Sequence, residues 1–209
     1  RPDAPAGRPG STPTALAPMA EQPERGTSHV SVVDADGHAV ALTTTIESAF
    51  GTRNLGAGFL LNNQLTDFSF LPHDRQGRPV ANRVEPGKRP RSSMAPTLVF
   101  DDTTGELVLS TGSPGGAMII HYTAKALHGM LVQGLTPQAA IDLPNLGTTG
   151  GPLLLEQGRF APATASGLRA LGHTVQEVPL TSGLQALRRQ PRGLEGGADP
   201  RREGAVAGD

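Results

Sequence analysis

Cysteine and tryptophan are absent from the 209 residues, which also contain only one tyrosine and six phenylalanines. Without thiols, disulfide frameworks, zinc–thiolate sites and cysteine nucleophiles are excluded, so covalent chemistry must use oxygen or nitrogen. The 18 Lys plus Arg nearly balance the 19 Asp plus Glu. This balance gives no electrostatic reason to expect nucleic acid or an anionic membrane surface as a partner. No run of 18 apolar residues occurs, so no membrane span is predicted.

A chain of this length is expected to form one domain. Its 27 glycines and 19 prolines are unevenly spread, and six of the prolines fall within residues 1–26, which show no apolar periodicity. We predict that residues 1–26 are a disordered segment, either a linker or the end of a preceding region. Residues 27–209 are then expected to form the functional domain.

Two pairs of β-rich runs predict antiparallel hairpins. The first pair begins at Ser28 and ends at Ile46, with an Asp/Gly cluster at residues 34–38 as its turn. The second pair covers residues 97–100 and 107–111, and residues 101–106 form its turn.

Helical spacing follows over residues 117–133, where apolar residues recur at intervals of three and four. Shorter helices are predicted over residues 136–143 and 162–171. Short strands are expected afterwards, at residues 173–178, 183–188 and 194–198. The order of strands, helices and strands predicts a layered α+β architecture with a mainly antiparallel sheet.

Residues 51–93 show little regular pattern. Loops of this length in a compact domain usually build a functional site or cover one.

Thr27 stands where the proline-rich segment meets the first strand. If the bond between Gly26 and Thr27 is cut, Thr27 gains an α-amino group beside its hydroxyl. An α-amine has a pKa of roughly 7.7–8.0, so it is partly unprotonated near neutral pH. It can therefore accept the hydroxyl proton within the same residue, as in other pairs of threonine and N-terminal amine.

Five segments in order resemble the small, catalytic subunit of the γ-glutamyltransferases, also called γ-glutamyl transpeptidases or glutathione hydrolases. These segments are residues 27–34, 43–51, 61–68, 86–97 and 111–116. The ending over residues 197–204 also resembles that family. The resemblance implies a layered αββα fold of the N-terminal-nucleophile hydrolases, of which this chain supplies the small-subunit part.

The resemblance implies catalytic roles for two threonines and two glycines. Thr27 matches the nucleophile, which is freed when a precursor cleaves itself into a large and a small subunit. Thr45 matches a second threonine whose hydroxyl bonds to the first. Gly115 and Gly116 match the oxyanion hole, and glycines ahead of a helix do expose backbone N–H groups at its positive end.

Further positions match residues that hold the amino-acid end of the γ-glutamyl group. Asp67 suits an ammonium, while the hydroxyls of Ser92 and Ser93 suit the α-carboxylate, and Gln64 belongs to the same set. Glu47 departs from the asparagine that many members have, which adds negative charge and removes amide donors. Acceptor preference is therefore expected to differ.

Neither a metal nor a cofactor is expected. None of His38, His73, His121 and His128 pairs with a second ligand at metal spacing, and His29 is predicted to give structural support. The segment 70–89 matches the lid of some members but lacks Tyr or Trp.

Partners implied by the resemblance are a larger subunit from the same precursor and a small γ-glutamyl substrate, in the periplasm or outside the cell. Two alternatives stay open. The same architecture serves cephalosporin or glutaryl acylases and poly-γ-glutamate depolymerases, which would change the acyl group. The chain could instead be an inactive fragment that needs its large subunit.

Overall fold

The computed structural model describes residues 16–19 and 26–208. Residues 16–19 and 26 of the predicted disordered segment 1–26 are among these, and Ala17 is buried and forms a bridge with Val80. The prediction for the rest of that segment lies outside the described residues. The described chain divides into two compact units. The sheet unit contains residues 26–45 and 93–208, and the loop unit contains residues 16–19 and 46–92.

The regular elements of the described residues are eleven strands, three α-helices and three 3₁₀ turns. The strands are β1 (Thr27–Val33), β2 (Ala39–Thr45), β3 (Leu55–Gly56), β4 (Phe59–Leu60), β5 (Thr97–Phe100), β6 (Leu107–Gly112), β7 (Leu146–Gly147), β8 (Leu153–Glu156), β9 (Val175–Val178), β10 (Gln185–Gln190) and β11 (Gly193–Ala198). The helices are α1 (Ile119–Leu131), α2 (Pro137–Asp142) and α3 (Pro162–Ala170). The 3₁₀ turns are Gln64–Asp67, Gly116–Met118 and Pro200–Arg202.

The predicted opening hairpin is confirmed. Strands β1 and β2 are antiparallel, and their register runs from Thr27 opposite Thr45 to Val33 opposite Ala39. The carboxylate of Asp34 closes the turn, because its Oδ1 accepts from the backbone N–H groups of Asp36 at 3.0 Å and His38 at 2.8 Å.

A four-stranded antiparallel sheet with the order β11-β10-β6-β5 forms the centre of the sheet unit. Helix α1 buries residues at intervals of three and four, which confirms the predicted helix with slightly shorter bounds. Thr136 caps α2, since its side chain accepts from the Ala139 N–H, as the Thr-Pro sequence predicts. The main core cluster contains Leu109, Met118, Tyr122, Ala126, Met130, Ala140, Ile141, Leu180, Leu184 and Ala186.

A second, three-stranded sheet has the order β7-β8-β9. Strand β9 was predicted, whereas β7 and β8 were not. Strands β8 and β9 pair in parallel, and α3 connects them. Leu155, Ala165 and Val175 form a small core beneath this sheet.

The loop unit has little regular structure, as expected. It contains the two-residue strands β3 and β4 and isolated bridges, one of which joins Ser69 to Arg83. Several non-glycine residues there have positive φ, including Glu47 at 68° and Phe50 at 66°. Within the described ranges, no helix is long and apolar enough to cross a membrane.

Candidate active site

Thr27 and Thr45 lie opposite each other at the open end of the β1–β2 hairpin. The Thr27 hydroxyl donates to Oγ1 of Thr45 over 3.0 Å. Both side chains are half-buried, because alternate residues of β1 and β2 face the interior of the sheet unit while Ser28 and Thr44 are exposed. The structure therefore brings the predicted nucleophile and its predicted partner into direct contact.

The hydroxyl of Thr45 also lies beside the peptide bond that precedes Thr27. Its Oγ1 is 3.4 Å from the carbonyl oxygen of Gly26, in donor geometry. Gly26 itself has φ 101°, a conformation that glycine adopts readily and other residues rarely do. This bond is the one whose cleavage the sequence predicts.

Farther along the same face of β1, His29 is buried and 7% exposed. Its Nδ1 is 2.8 Å from Oγ1 of Thr43, and its Nε2 is 3.2 Å from Oγ of Ser31. Burial lowers the pKa of His29 to about 4, so the ring is uncharged near neutral pH. The predicted structural role of His29 agrees with this burial, but its hydroxyl partners could not be identified from the sequence.

Gly115 and Gly116 follow β6 and lead into α1. Both have positive φ, 138° and 58°. A Cβ atom on Gly115 would lie 2.5 Å from the ring of Tyr122, which is the single tyrosine of the chain and is buried in the core. The positive φ and the lack of space for a Cβ atom therefore both require glycine at position 115.

The segment just before these glycines is braced by the loop that precedes β10. The backbone N–H of Gly183 donates to Oγ of Ser113 over 3.1 Å. A Cβ atom on Gly183 would lie 2.6 Å from Cγ of Pro114, so the two segments are in close contact. No pattern in the sequence indicates this support.

The loop that precedes β10 is itself held by hydrogen bonds to Asp199, which follows β11. Its carboxylate is fully buried and accepts from the Ser182 hydroxyl and from the backbone N–H of Leu184 at 3.2 Å. Arg201 pairs with Asp199 at 3.1 Å and with Glu156 at 2.7 Å. The sequence indicates this ending, residues 197–204, only through the family resemblance; the paired charges give it a physical role.

Four of the predicted substrate-binding residues belong to the loop unit. Glu47 is buried, and its Oε2 accepts from Nδ2 of Asn63 and from the Thr66 hydroxyl. Asn63 also accepts from the backbone N–H of Ser48 at 3.0 Å, so the segment after β2 is held by side-chain hydrogen bonds. Glu47 thus has a structural role, and its contact with substrate stays a prediction.

The other predicted residues of this set are Gln64 and Asp67, which contact each other, and the adjacent residues Ser92 and Ser93. Gln64 donates to Oδ2 of the buried Asp67 within one 3₁₀ turn. Ser92 ends the loop unit and Ser93 begins the described second segment of the sheet unit; Ser92 is exposed and Ser93 is half-buried.

The expectation that His38 has no neighbouring ligand is wrong. Its Nδ1 lies 2.9 Å from Oδ2 of Asp34, and ligand atoms of Asp34, Asp36 and His38 lie within 4.8 Å of one another. All three side chains are exposed in the β1–β2 turn. The hydrogen bonds of Asp34 explain the cluster as a turn closure.

Known proteins resemble this chain over most of its length. A family model described as Gamma-glutamyltranspeptidase matches residues 4–209. A "Glutathione hydrolase proenzyme" of Escherichia coli (strain K12) is 40% identical over 188 residues, which is 84% of this chain and 31% of that protein. The chain spans about a third of the length of such curated relatives.

Solved structures of related proteins share the fold, and two of them are as follows. A mutant gamma-glutamyltranspeptidase of Helicobacter pylori matches with a TM-score of 0.72 and 31% identity, over 83% of this chain and 99% of that chain. A cephalosporin acylase from Bacillus halodurans matches with a TM-score of 0.72 and 28% identity, over 86% of this chain and 33% of that chain. These matches confirm the predicted α+β fold of the N-terminal-nucleophile hydrolases.

Proposed function

Because the chain belongs to the γ-glutamyltranspeptidase family, we propose that it carries the nucleophile of an enzyme that cleaves γ-glutamyl amides. The γ-glutamyl group of a glutathione-like donor passes to water or to the amine of an amino acid or peptide. The observation that carries this proposal is the 3.0 Å hydrogen bond between the hydroxyls of Thr27 and Thr45 at the start of β1.

The proposed reaction begins with release of Thr27 as an N-terminal residue. Its Oγ adds to the carbonyl carbon of Gly26 as the hydroxyl gives up its proton, the peptide C–N bond breaks, and the nitrogen of Thr27 takes that proton and leaves as an amine. Water then hydrolyses the resulting ester, which frees the carboxylate of Gly26 and the hydroxyl of Thr27. A donor hydroxyl on Thr45, 3.4 Å from the Gly26 oxygen, supports this step because it can stabilise the charge that develops there.

The freed residue then acts on the γ-amide. Oγ of Thr27 attacks the γ-carbonyl carbon while the α-amine accepts the hydroxyl proton. The amide C–N bond breaks, the leaving amine takes that proton, and a γ-glutamyl ester remains on Thr27. Water or an acceptor amine attacks this ester and restores the hydroxyl.

Gly115 and Gly116 are the proposed donors to the oxyanion. Their positive φ and the absence of side chains agree with a backbone that presents N–H groups to a ligand. Removal of one such donor typically costs about 10²–10³ in turnover. Gln64, Asp67, Ser92 and Ser93 stay predicted ligands for the amino-acid end of the substrate, with Glu47 as the residue expected to alter acceptor preference.

We also propose a larger partner subunit. Four apolar side chains cover the outer face of the hairpin in two cross-strand pairs, Val30 with Leu42 and Val32 with Val40. Each is about half exposed, between 47% and 52%. A contiguous apolar patch of this kind is typical of an interface, and the chain spans about a third of its relatives' length.

The test uses the complete gene product that contains these residues. Thr27→Ala should abolish both cleavage before residue 27 and hydrolysis of a γ-glutamyl anilide. Thr45→Val, which keeps the side-chain shape but removes the hydroxyl, should slow both by about 10²-fold. Thr44→Val is the matched control, because Thr44 is exposed on the opposite face of β2, and it should leave both rates unchanged.

Donor choice separates the alternatives. Cleavage of the γ-glutamyl anilide supports the proposal, whereas its refusal together with cleavage of a glutaryl amide would assign the chain to the acylases. Cleavage confined to poly-γ-glutamate would indicate a depolymerase. A folded, uncleaved product that hydrolyses none of these donors would favour the inactive fragment, and turnover retained by Thr27→Ala would remove Thr27 from the mechanism.

A further inference from the structure

His29 occupies the interior of the sheet unit directly after the hairpin end that carries Thr27. It lies on the same face of β1 as Thr27 and Ser31, because strand side chains alternate between faces. The neighbouring residues Ser28 and Val30 are exposed, whereas His29 is buried. A polar ring at the one buried position of β1 requires partners, and the structure supplies them.

Hydrogen bonds from the ring connect three strands. Thr43, on β2, is the register partner of His29 and bonds to Nδ1 at 2.8 Å. Ser31, on β1, lies 3.2 Å from Nε2 and accepts from the hydroxyl of Ser110, on β6, at 3.0 Å. A neutral imidazole has one donor and one acceptor nitrogen, and hydroxyls can satisfy either.

The ring of His29 also limits how closely β6 can approach β1. A Cβ atom on Gly112 would lie 2.3 Å from Cε1 of His29 and 2.5 Å from Nδ1. Gly112 has no positive φ that would itself call for glycine. Glycine therefore stands at this position because the imidazole ring occupies the space that a side chain would need.

Gly112 is the last residue of β6, and Gly115 follows three positions later. We propose that His29 is a positioning residue whose ring, seated against Gly112, fixes the spacing between the hairpin that carries Thr27 and the end of β6 that leads to Gly115 and Gly116. The inference rests on the proposed function, since it concerns the nucleophile and the oxyanion donors of that reaction.

A role for His29 as general base is not part of the proposal. Both ring nitrogens face hydroxyls other than that of Thr27, namely those of Thr43 and Ser31. The ring therefore acts through the position of its neighbours. A displacement of about 1 Å between reacting groups can reduce turnover about 10²-fold, which sets the expected size of the effect.

A double-mutant cycle in the complete gene product tests the inference. Gly112→Ala should lower kcat for the γ-glutamyl anilide about 10²-fold with KM unchanged, because the added methyl displaces the ring. In the His29→Ala background, the same substitution should cost far less, since the ring is gone. Gly167→Ala is the matched control, because its added Cβ would meet no atom within 4 Å.

Each outcome is decisive once circular dichroism and thermal melting show that the variants are folded. Unchanged kcat in Gly112→Ala, or an equal loss in both backgrounds, would overturn the positioning role while leaving the proposed function intact. If Gly112→Ala does not fold, His29→Asn decides: a lower kcat at constant KM supports the role and an unchanged kcat overturns it. Failure of the proposed function is distinguished by a wild-type protein that does not cleave the anilide, or by Thr27→Ala that does.

Discussion

Single residues on the hairpin differ in role according to the face they occupy. Thr43 and Thr45 face the interior of the sheet unit and bond to His29 and Thr27, whereas Thr44 between them is exposed. Their sequence, three threonines in a row, does not distinguish them. The register of Thr27 with Thr45 does, because side chains directly opposite each other on one face lie within contact distance.

His29 predicts a pH dependence of stability. Burial lowers its pKa from 6.5 to about 4, and its contacts in the sheet unit are the uncharged Thr43, Ser31 and Gly112. The unfolded state therefore binds a proton at higher pH than the folded state does. The contribution of uncharged His29 to the free energy of unfolding is fully present above pH 6.5 and is lost as the pH falls through about 4. Its total is about 3 kcal/mol.

Urea unfolding at a series of pH values measures this effect. The free energy of unfolding should decrease less steeply below pH 6.5 in His29→Gln than in the wild type, because the glutamine does not titrate. Ser28→Gln, at an exposed position of the same strand, is the control and should keep the wild-type slope. Identical slopes in all three proteins would show that His29 does not remain uncharged in the folded state.

Among the elements, those with a strong local pattern could be predicted from the sequence. Helix α1 follows from its 3.6-residue apolar period, and the hairpin β1–β2 from β-rich runs around an Asp/Gly turn. Strands β7 and β8 were missed because one has two residues and the other is a short apolar run without alternation, next to Gly150 and Gly151. Their pairing is decided by the neighbouring β9, which only the folded chain brings beside them.

The contacts that support the candidate site could be predicted only in part, because several of them join residues that are distant in the sequence. The contact of Thr27 with Thr45 could be anticipated from the family resemblance, because the hairpin alone does not select Thr45 from its two threonine neighbours. The link between Ser31 and Ser110 joins residues 79 positions apart, and no periodicity indicates it. The proximity of His29 to Gly112 is likewise a consequence of strand packing, although a histidine at an inward-facing strand position is a usable signal.

Asp199 provides a prediction for the C-terminal elements. Asp199→Ala should reduce the free energy of unfolding by about 3–5 kcal/mol, because it removes one partner of a buried charge pair and leaves Ser182 and Leu184 without their acceptor. Denaturant unfolding measures the loss. Asp102→Ala, at an exposed turn, is the control and should change stability little. A small effect at position 199 would show that Arg201 and Glu156 hold this segment by themselves.

At the scale of the whole molecule, the outer face of the hairpin is the feature that a partner would cover. Val32→Asp places a charge within the patch formed by Val30, Val32, Val40 and Leu42. We expect it to weaken the association of this chain with the proposed larger subunit, as measured by co-purification after cleavage. Burial of an unpaired charge in an interface is strongly unfavourable.

Leu171→Asp supplies the control for this substitution, because Leu171 is also an exposed apolar side chain, 73% accessible, at the end of α3. It should leave association unchanged. If both variants associate normally, the hairpin patch is not the interface. If both fail, the effect reflects added charge and not this surface.

The most direct measurement is mass spectrometry of the purified gene product before and after brief mixing with a γ-glutamyl donor, followed by peptide mapping. The account predicts a chain that begins at Thr27 and gains the mass of one γ-glutamyl group, attached to that residue. A chain that still contains the Gly26–Thr27 bond while it turns over the donor, or an adduct on any other residue, would contradict it.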